Sequence, residues 1–113
     1  MRFEDIYKEG VMIICRNQEE SDRCRQFLSS HGVKYGSGRD VIDKDYWGSY
    51  TTMLGYVFHE WDPGVFRVYY DSDRNVLEGE TECGYTFVPF KEINTAESPT
   101  KEFDTLLLME LYK

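Results

Sequence analysis

The sequence predicts an α+β domain, with one principal helix packed on a small, mainly antiparallel sheet of four or five strands. Three observations predict it. Val11-Met12-Ile13-Ile14-Cys15 is an unbroken apolar run rich in branched residues, the pattern of a central strand covered on both faces. Residues 18–31 place Cys24, Phe27 and Leu28 on one stripe of a helix, between the N-cap residue Asn17 and the stop residue Gly32. Two strand-forming runs flank Asp62-Pro63-Gly64, a strong turn signal, and so read as a hairpin.

Each element follows from local chemistry. Phe3, Ile6 and Tyr7 share one side of a short helix over residues 3–9 that Gly10 ends. Asn17 with Glu20 three residues on has the spacing of a capping box, which starts the principal helix. Val33-Lys34-Tyr35 reads as a short strand, Gly36-Ser37-Gly38 as a turn, and residues 39–50 as a polar loop with embedded aromatics. Residues 51–58 and 65–70 form the hairpin strands, and 71–84 an acidic connection. Tyr85-Thr86-Phe87-Val88 is a further strand that Pro89 ends or confines to an edge. The expected core includes Val11, Ile13, Ile14, Phe27, Leu28, Leu54, Phe66, Val68 and Phe87. Residues 98–113 start with the helix signal Ser98-Pro99 and carry Leu106, Leu107, Leu108, Met109 and Leu111. Read as a helix or as a strand, this segment has more apolar surface than one face can bury. It is therefore expected to dock in a groove or to pair chains into a homodimer or larger assembly.

The 113 residues suffice for one domain with a real core, and 16% aromatic content argues against disorder. Net charge is −8, with about −1 in residues 1–56 and −7 in residues 57–113. That balance excludes a sequence-independent grip on nucleic-acid phosphates as the main activity. The acidic half could instead attract a basic partner surface or only keep the chain soluble. No apolar run approaches the roughly 20 residues that span a bilayer, and the N-terminus lacks the pattern of a secretory signal. Cys15, Cys24 and Cys83 are odd in number and widely spaced, without a CxxC pair. A cytoplasmic setting without disulfides is expected.

No residue pattern specifies a reaction. His31 and His59 lack the spacing of a zinc hydrolase, and Ser37 lies outside any nucleophile elbow. A non-enzymatic protein without a cofactor is expected. Asp71, Asp73, Asn75 and Glu82 fall at positions one, three, five and twelve of an EF-hand loop. Val76, however, stands where that loop needs glycine, and strands flank it, so an exposed acidic connection is the better reading and no metal site is favoured. Gly36, Ser37, Gly38 and Arg39 combine free backbone amides with a cation and could take a phosphate. Tyr46, Trp47, Tyr50 and Trp61 stand among polar residues and could stack on a base or anchor a protein partner.

Further features carry a resemblance: the apolar first strand, Gln18-Glu19-Glu20, Phe27-Leu28, Gly32, Ser37-Gly38, Tyr46-Trp47, Gly84-Tyr85 and Pro89-Phe90-Lys91-Glu92-Ile93. Over about residues 5–93 the chain resembles a family of small, uncharacterised α+β proteins encoded in phages and prophages of Gram-positive bacteria. It departs at Tyr35, where those proteins often carry tryptophan. The resemblance implies a one-helix, small-sheet fold and an accessory role through binding, either of a host or defence protein or of a small nucleotide. It transfers no catalytic residue.

Overall fold

A computed structural model describes residues 1–72, 76 and 84–95. Among these, two helices and four strands follow the order α1 (Phe3–Ile6), β1 (Val11–Cys15), α2 (Gln18–Ser30), β2 (Leu54–Asp62), β3 (Val65–Ser72) and β4 (Thr86–Pro89), with short 3-10 turns at Val41–Asp43 and Phe90–Glu92. The sheet order is β3-β2-β1-β4. The β1–β2 and β2–β3 pairs are antiparallel, and β1–β4 is parallel. This is an α+β fold with a mixed sheet. The connection that carries the chain into β4 falls almost wholly in residues 73–83, and the leucine-rich segment 98–113 also lies outside the described residues.

All five residues of β1 are buried, which explains why the run shows no alternation. Val11, Ile13 and Cys15 join the larger core beneath α2, with Cys24, Phe27, Leu28, Leu54, Tyr56, Phe58 and Val68. Met12 and Ile14 face the other side, where Val57 and Val76 bury with them against the half-buried Met53, Tyr85 and Phe87. Of the expected core, Phe66 and Phe87 are half-buried because they lie on the two edge strands, where cover is incomplete.

Helix α2 begins and ends as its sequence requires. The Asn17 side chain accepts from Glu20 N–H at 2.8 Å, and the Glu20 carboxylate accepts from Arg16 N–H at 3.0 Å. At the other end Gly32 has φ +76°. Its N–H donates to Ser29 C=O at 2.9 Å while Val33 N–H donates to Leu28 C=O at 3.0 Å, a Schellman cap with Val33 and Leu28 both buried. His31 stacks flat on Phe3 at 4.0 Å, so α1 closes this end of the helix.

Leu28 is fully buried at the centre of this contact. Leu28→Ala is expected to lower the unfolding free energy by about 2–5 kcal/mol, measured by urea denaturation. A loss below about 1 kcal/mol would mean that α2 is not the cover of β1.

Candidate functional site

Strand β3 forms one edge of the sheet, and its side chains alternate. Phe66, Val68 and Tyr70 share the α2 side, and Arg67, Tyr69 and Asp71 the other. The expected strand at residues 33–35 is reduced to a short clip on that edge, with Tyr35 opposite Val68 and Lys34 opposite Asp40. Val68 N–H donates to Lys34 C=O at 3.0 Å, and Gly36 N–H donates to Val68 C=O at 3.1 Å. The chain then turns back, with Gly38 N–H donating to Tyr35 C=O and Tyr35 N–H to Arg39 C=O, both at 2.8 Å. Gly38 has φ +91°, which is why glycine stands there.

Where the turn meets the edge, Tyr35, Gly36, Ser37, Tyr46, Val68, Tyr69 and Tyr70 line a cleft of about 160 Å³. Tyr69 lies against Gly36 so closely that a β-carbon on Gly36 would overlap its ring. Tyr46 stacks on Tyr70 at 3.7 Å and meets Tyr35 edge-on at 5.2 Å. Arg67 spans the rim: its guanidinium lies 4.4 Å from the Trp61 ring centroid and Nη1 donates to Gly36 C=O at 3.3 Å. Lys44 Nζ lies 5.7 Å from the Tyr46 ring. Trp61, Tyr69 and Tyr70 are 51%, 39% and 44% exposed.

Helix α2 holds the loop that delivers Tyr46. Arg25, buried, pairs with Asp22, approaches Asp45 at 3.9 Å and donates to Ile42 C=O at 3.4 Å. Gln18 donates to Asp45 at 2.6 Å, and the same carboxylate accepts from Trp47 N–H at 2.9 Å. Burial opposes the Arg25 charge, but the Asp22 bond and the nearby acidic groups outweigh it and hold the guanidinium above its ordinary value. Tyr35 donates to Lys44 C=O at 2.7 Å, and burial pushes its hydroxyl pKa well up. Tyr35 is therefore a structural donor rather than an acid–base group.

The structure brings together Gly36 and Ser37 in the cleft, and joins Gly38 and Trp61 to it through Arg67. Arg39 is exposed on the same turn. Trp47 instead packs against the main core, and Tyr50, 95% exposed, does not line the cleft. Tyr46, one of the expected aromatics, lines the cleft, and Tyr69 and Tyr70 are the site residues that sequence reasoning missed. A larger hollow of about 250 Å³ lies on α2, but Arg23, its one charged lining group, already stacks on Phe90.

A second cluster surrounds His59. Its Nδ1 bonds Glu9 at 2.9 Å and its Nε2 meets the Tyr85 hydroxyl at 3.3 Å. A carboxylate that orients a histidine suits a general base. Among the described residues, however, no serine, threonine or cysteine bonds to His59, and the Tyr85 hydroxyl occupies the other ring nitrogen. Cys15 and Cys24 are buried, and burial pushes the Cys24 thiol well up, which makes it inert. Of the calcium candidates, Asp71 sits in β3, where burial raises its pKa, while Asp73, Asn75 and Glu82 lie outside the described residues. Among the described residues no cluster of three metal-ligating side chains occurs, and no helix is long and apolar enough to cross a membrane.

Two outcomes follow. Gly36→Ala is expected to displace the Tyr69 ring and reshape the cleft while the fold persists, read as aromatic proton shifts of Tyr69 and Tyr70. An unmoved Tyr69 would contradict the close contact. The Glu9 carboxylate is held below its ordinary value of 4.5 first by the His59 hydrogen bond and also by Glu60 N–H, against opposing desolvation. Its contribution is present above pH 4.5 and is lost as pH falls through the lower folded-state value. Thermal melts should show Glu9→Gln less stable than wild type near pH 6, with the gap closing in acid; a gap that widens in acid would reverse the assignment. No protein-family model, curated protein or solved structure matches this chain.

Proposed function

We propose that this chain is a non-enzymatic binding module that holds a protein partner through the aromatic edge of its sheet. The resemblance to phage-encoded accessory proteins makes a host or defence protein the partner class. One observation carries the reading: two exposed rings, Tyr69 and Tyr70, line a cleft of about 160 Å³, and the exposed Trp61 is joined to its rim through Arg67. Sites that enclose a whole small molecule usually run to about 300–1,000 Å³. This cleft has room for one side chain, the scale of an interface hot spot, where tryptophan, tyrosine and arginine predominate.

The local charge favours a second reading, a small nucleotide. Arg67 and Lys44 rest on rings, Arg39 is exposed beside them, and none forms an ion pair among the described residues. A phosphate would suit those cations and the glycine turn. Trp47 and Tyr50 are not placed to stack on its base, so Tyr46, Tyr69 or Tyr70 would have to do so. Of the 12 acidic residues in the C-terminal half, only Glu60, Asp62, Asp71 and Glu92 are described, and none lines the cleft.

The test is a pull-down from bacterial lysate with wild type and with Trp61→Ala/Tyr69→Ala, both checked for folding by circular dichroism. A protein retained by wild type and bound about thirty-fold more weakly by the variant supports the reading, the effect of losing roughly 2 kcal/mol at a hot spot. Equal retention by both would remove the aromatic edge as the site. Release of an ultraviolet-absorbing small molecule from wild type alone would establish the nucleotide instead.

A further inference from the structure

We infer that the stretch of the β3 edge at Tyr70–Ser72, unpaired among the described residues, receives an extended, acidic segment of the partner as an added strand, with one aromatic side chain of that segment seated in the tyrosine cleft. The inference rests on the protein-binding reading and specifies the partner's chemistry.

The first support is an accounting of backbone groups along the edge. Along β3, Phe66, Val68, Tyr70 and Ser72 turn their N–H and C=O groups away from β2, as the outward bonds of Val68 show. Phe66 N–H donates to the Tyr7 hydroxyl at 3.0 Å. Val68 is paired on both groups by the clip. A clip that continued one step further would offer Gly36 C=O to Tyr70 N–H and Gly38 N–H to Tyr70 C=O. Both groups are used elsewhere: Gly36 C=O accepts from Arg67 Nη1, and Gly38 N–H donates to Tyr35 C=O. Among the described residues no hydrogen bond reaches the outward backbone groups of Tyr70 or Ser72. An unpaired edge of this kind is the template for strand addition.

The second support is position. The cleft opens where the clip leaves the edge, with Val68 and Gly36 in its lining and Tyr69 and Tyr70 on opposite faces of the strand. A strand added beside Tyr70 would project one side chain towards this opening. The lining of four tyrosines with Val68, Gly36 and Ser37 suits an aromatic ring.

The third support is charge. Arg67 and Lys44 lie over rings, without a carboxylate partner among the described residues. Lys34 and Arg39 are exposed on the clip and turn. Asp40, opposite Lys34 on the clip, is engaged by Ile42 N–H and Ser29, which together with the Lys34 charge hold its pKa below the ordinary range. Asp71, the one carboxylate within Tyr70–Ser72, shares its face of β3 with Arg67 and Tyr69. Cations at the rim of an open edge select carboxylates on the incoming segment.

The probe is the peptide acetyl-Glu-Val-Glu-Phe-Glu-Val-Glu-amide, titrated into the ¹⁵N-labelled full chain. Expected are saturable shifts at the Tyr70 and Ser72 amides and slowed hydrogen exchange at Tyr70. Binding should weaken at least ten-fold with Arg67→Glu, with lysine in place of glutamate in the peptide, and with N-methylation of alternate peptide amides. Undiminished binding by the N-methylated peptide, still sensitive to Tyr69→Ala, overturns strand addition and leaves the aromatic protein-binding reading standing. No shift at millimolar peptide overturns the inference. So does adenosine monophosphate shifting the cleft resonances where the peptide does not, which would also overturn the protein-binding reading. Protection of Tyr70 that rises with protein concentration in the absence of peptide assigns the edge to a second copy of the chain and overturns it too.

Discussion

Strand β1 has no face to give to water. Its five residues are all buried, so both sides of the sheet must be covered where it passes. Helix α2 covers one side; Val76 and the partly buried Met53, Tyr85 and Phe87 close on the other. A strand buried on both faces also needs both of its edges paired, because an unsatisfied backbone group there would be costly. Strands β2 and β4 supply those pairings, which leaves β3 and β4 as the edges. The central burial thus decides where the sheet is open, and the open edge is where the exposed aromatics collect.

The aromatic cleft depends on a charge buried some distance from it. Arg25 lies inside α2's contact with the loop that carries Tyr46, and its Nε has no hydrogen-bond partner among the described residues. A buried cation adds little net stability once its desolvation is counted. Its value lies in direction: Asp22, Asp45 and Ile42 C=O all converge on it, so the loop has one low-energy seating on the helix. Gln18 adds to that seating through Asp45. Tyr46 is thereby carried onto Tyr70, and the stacked pair walls the cleft on the α2 side.

The cations at the cleft are held by rings and a carbonyl rather than by acids. Arg67 rests on Trp61 and Gly36 C=O, an arrangement that fixes the guanidinium without neutralising it. In a chain of net charge −8, Arg67 is thus a cation with no carboxylate partner among the described residues. The overall charge argues for a basic partner surface, whereas the described residues around the cleft argue for an acidic segment. The two hold together if different parts of the chain meet different surfaces, since most acidic side chains of the C-terminal half lie outside the described residues.

Elements whose signals are local were legible in the chain. The apolar run of β1, the Asn17 and Gly32 caps of α2 and the Pro63-Gly64 turn each depend on neighbours a few residues away, and each stands where expected. Gly36 and Ser37 were legible as turn residues for the same reason, and the cleft includes both. The tertiary structure alone decided the rest. Parallel pairing of β4 with β1 is a choice of neighbour, and alternation within a strand does not encode it. Tyr46, Tyr69 and Tyr70 meet because a loop anchored on α2 folds over the edge of β3, so no spacing in the chain announces them. Trp47 and Tyr50 drew attention as aromatics in a polar stretch, yet one packs against the core and the other stands in solvent. Composition can place a ring in a loop, but only the packing of that loop decides whether the ring faces core, cleft or water.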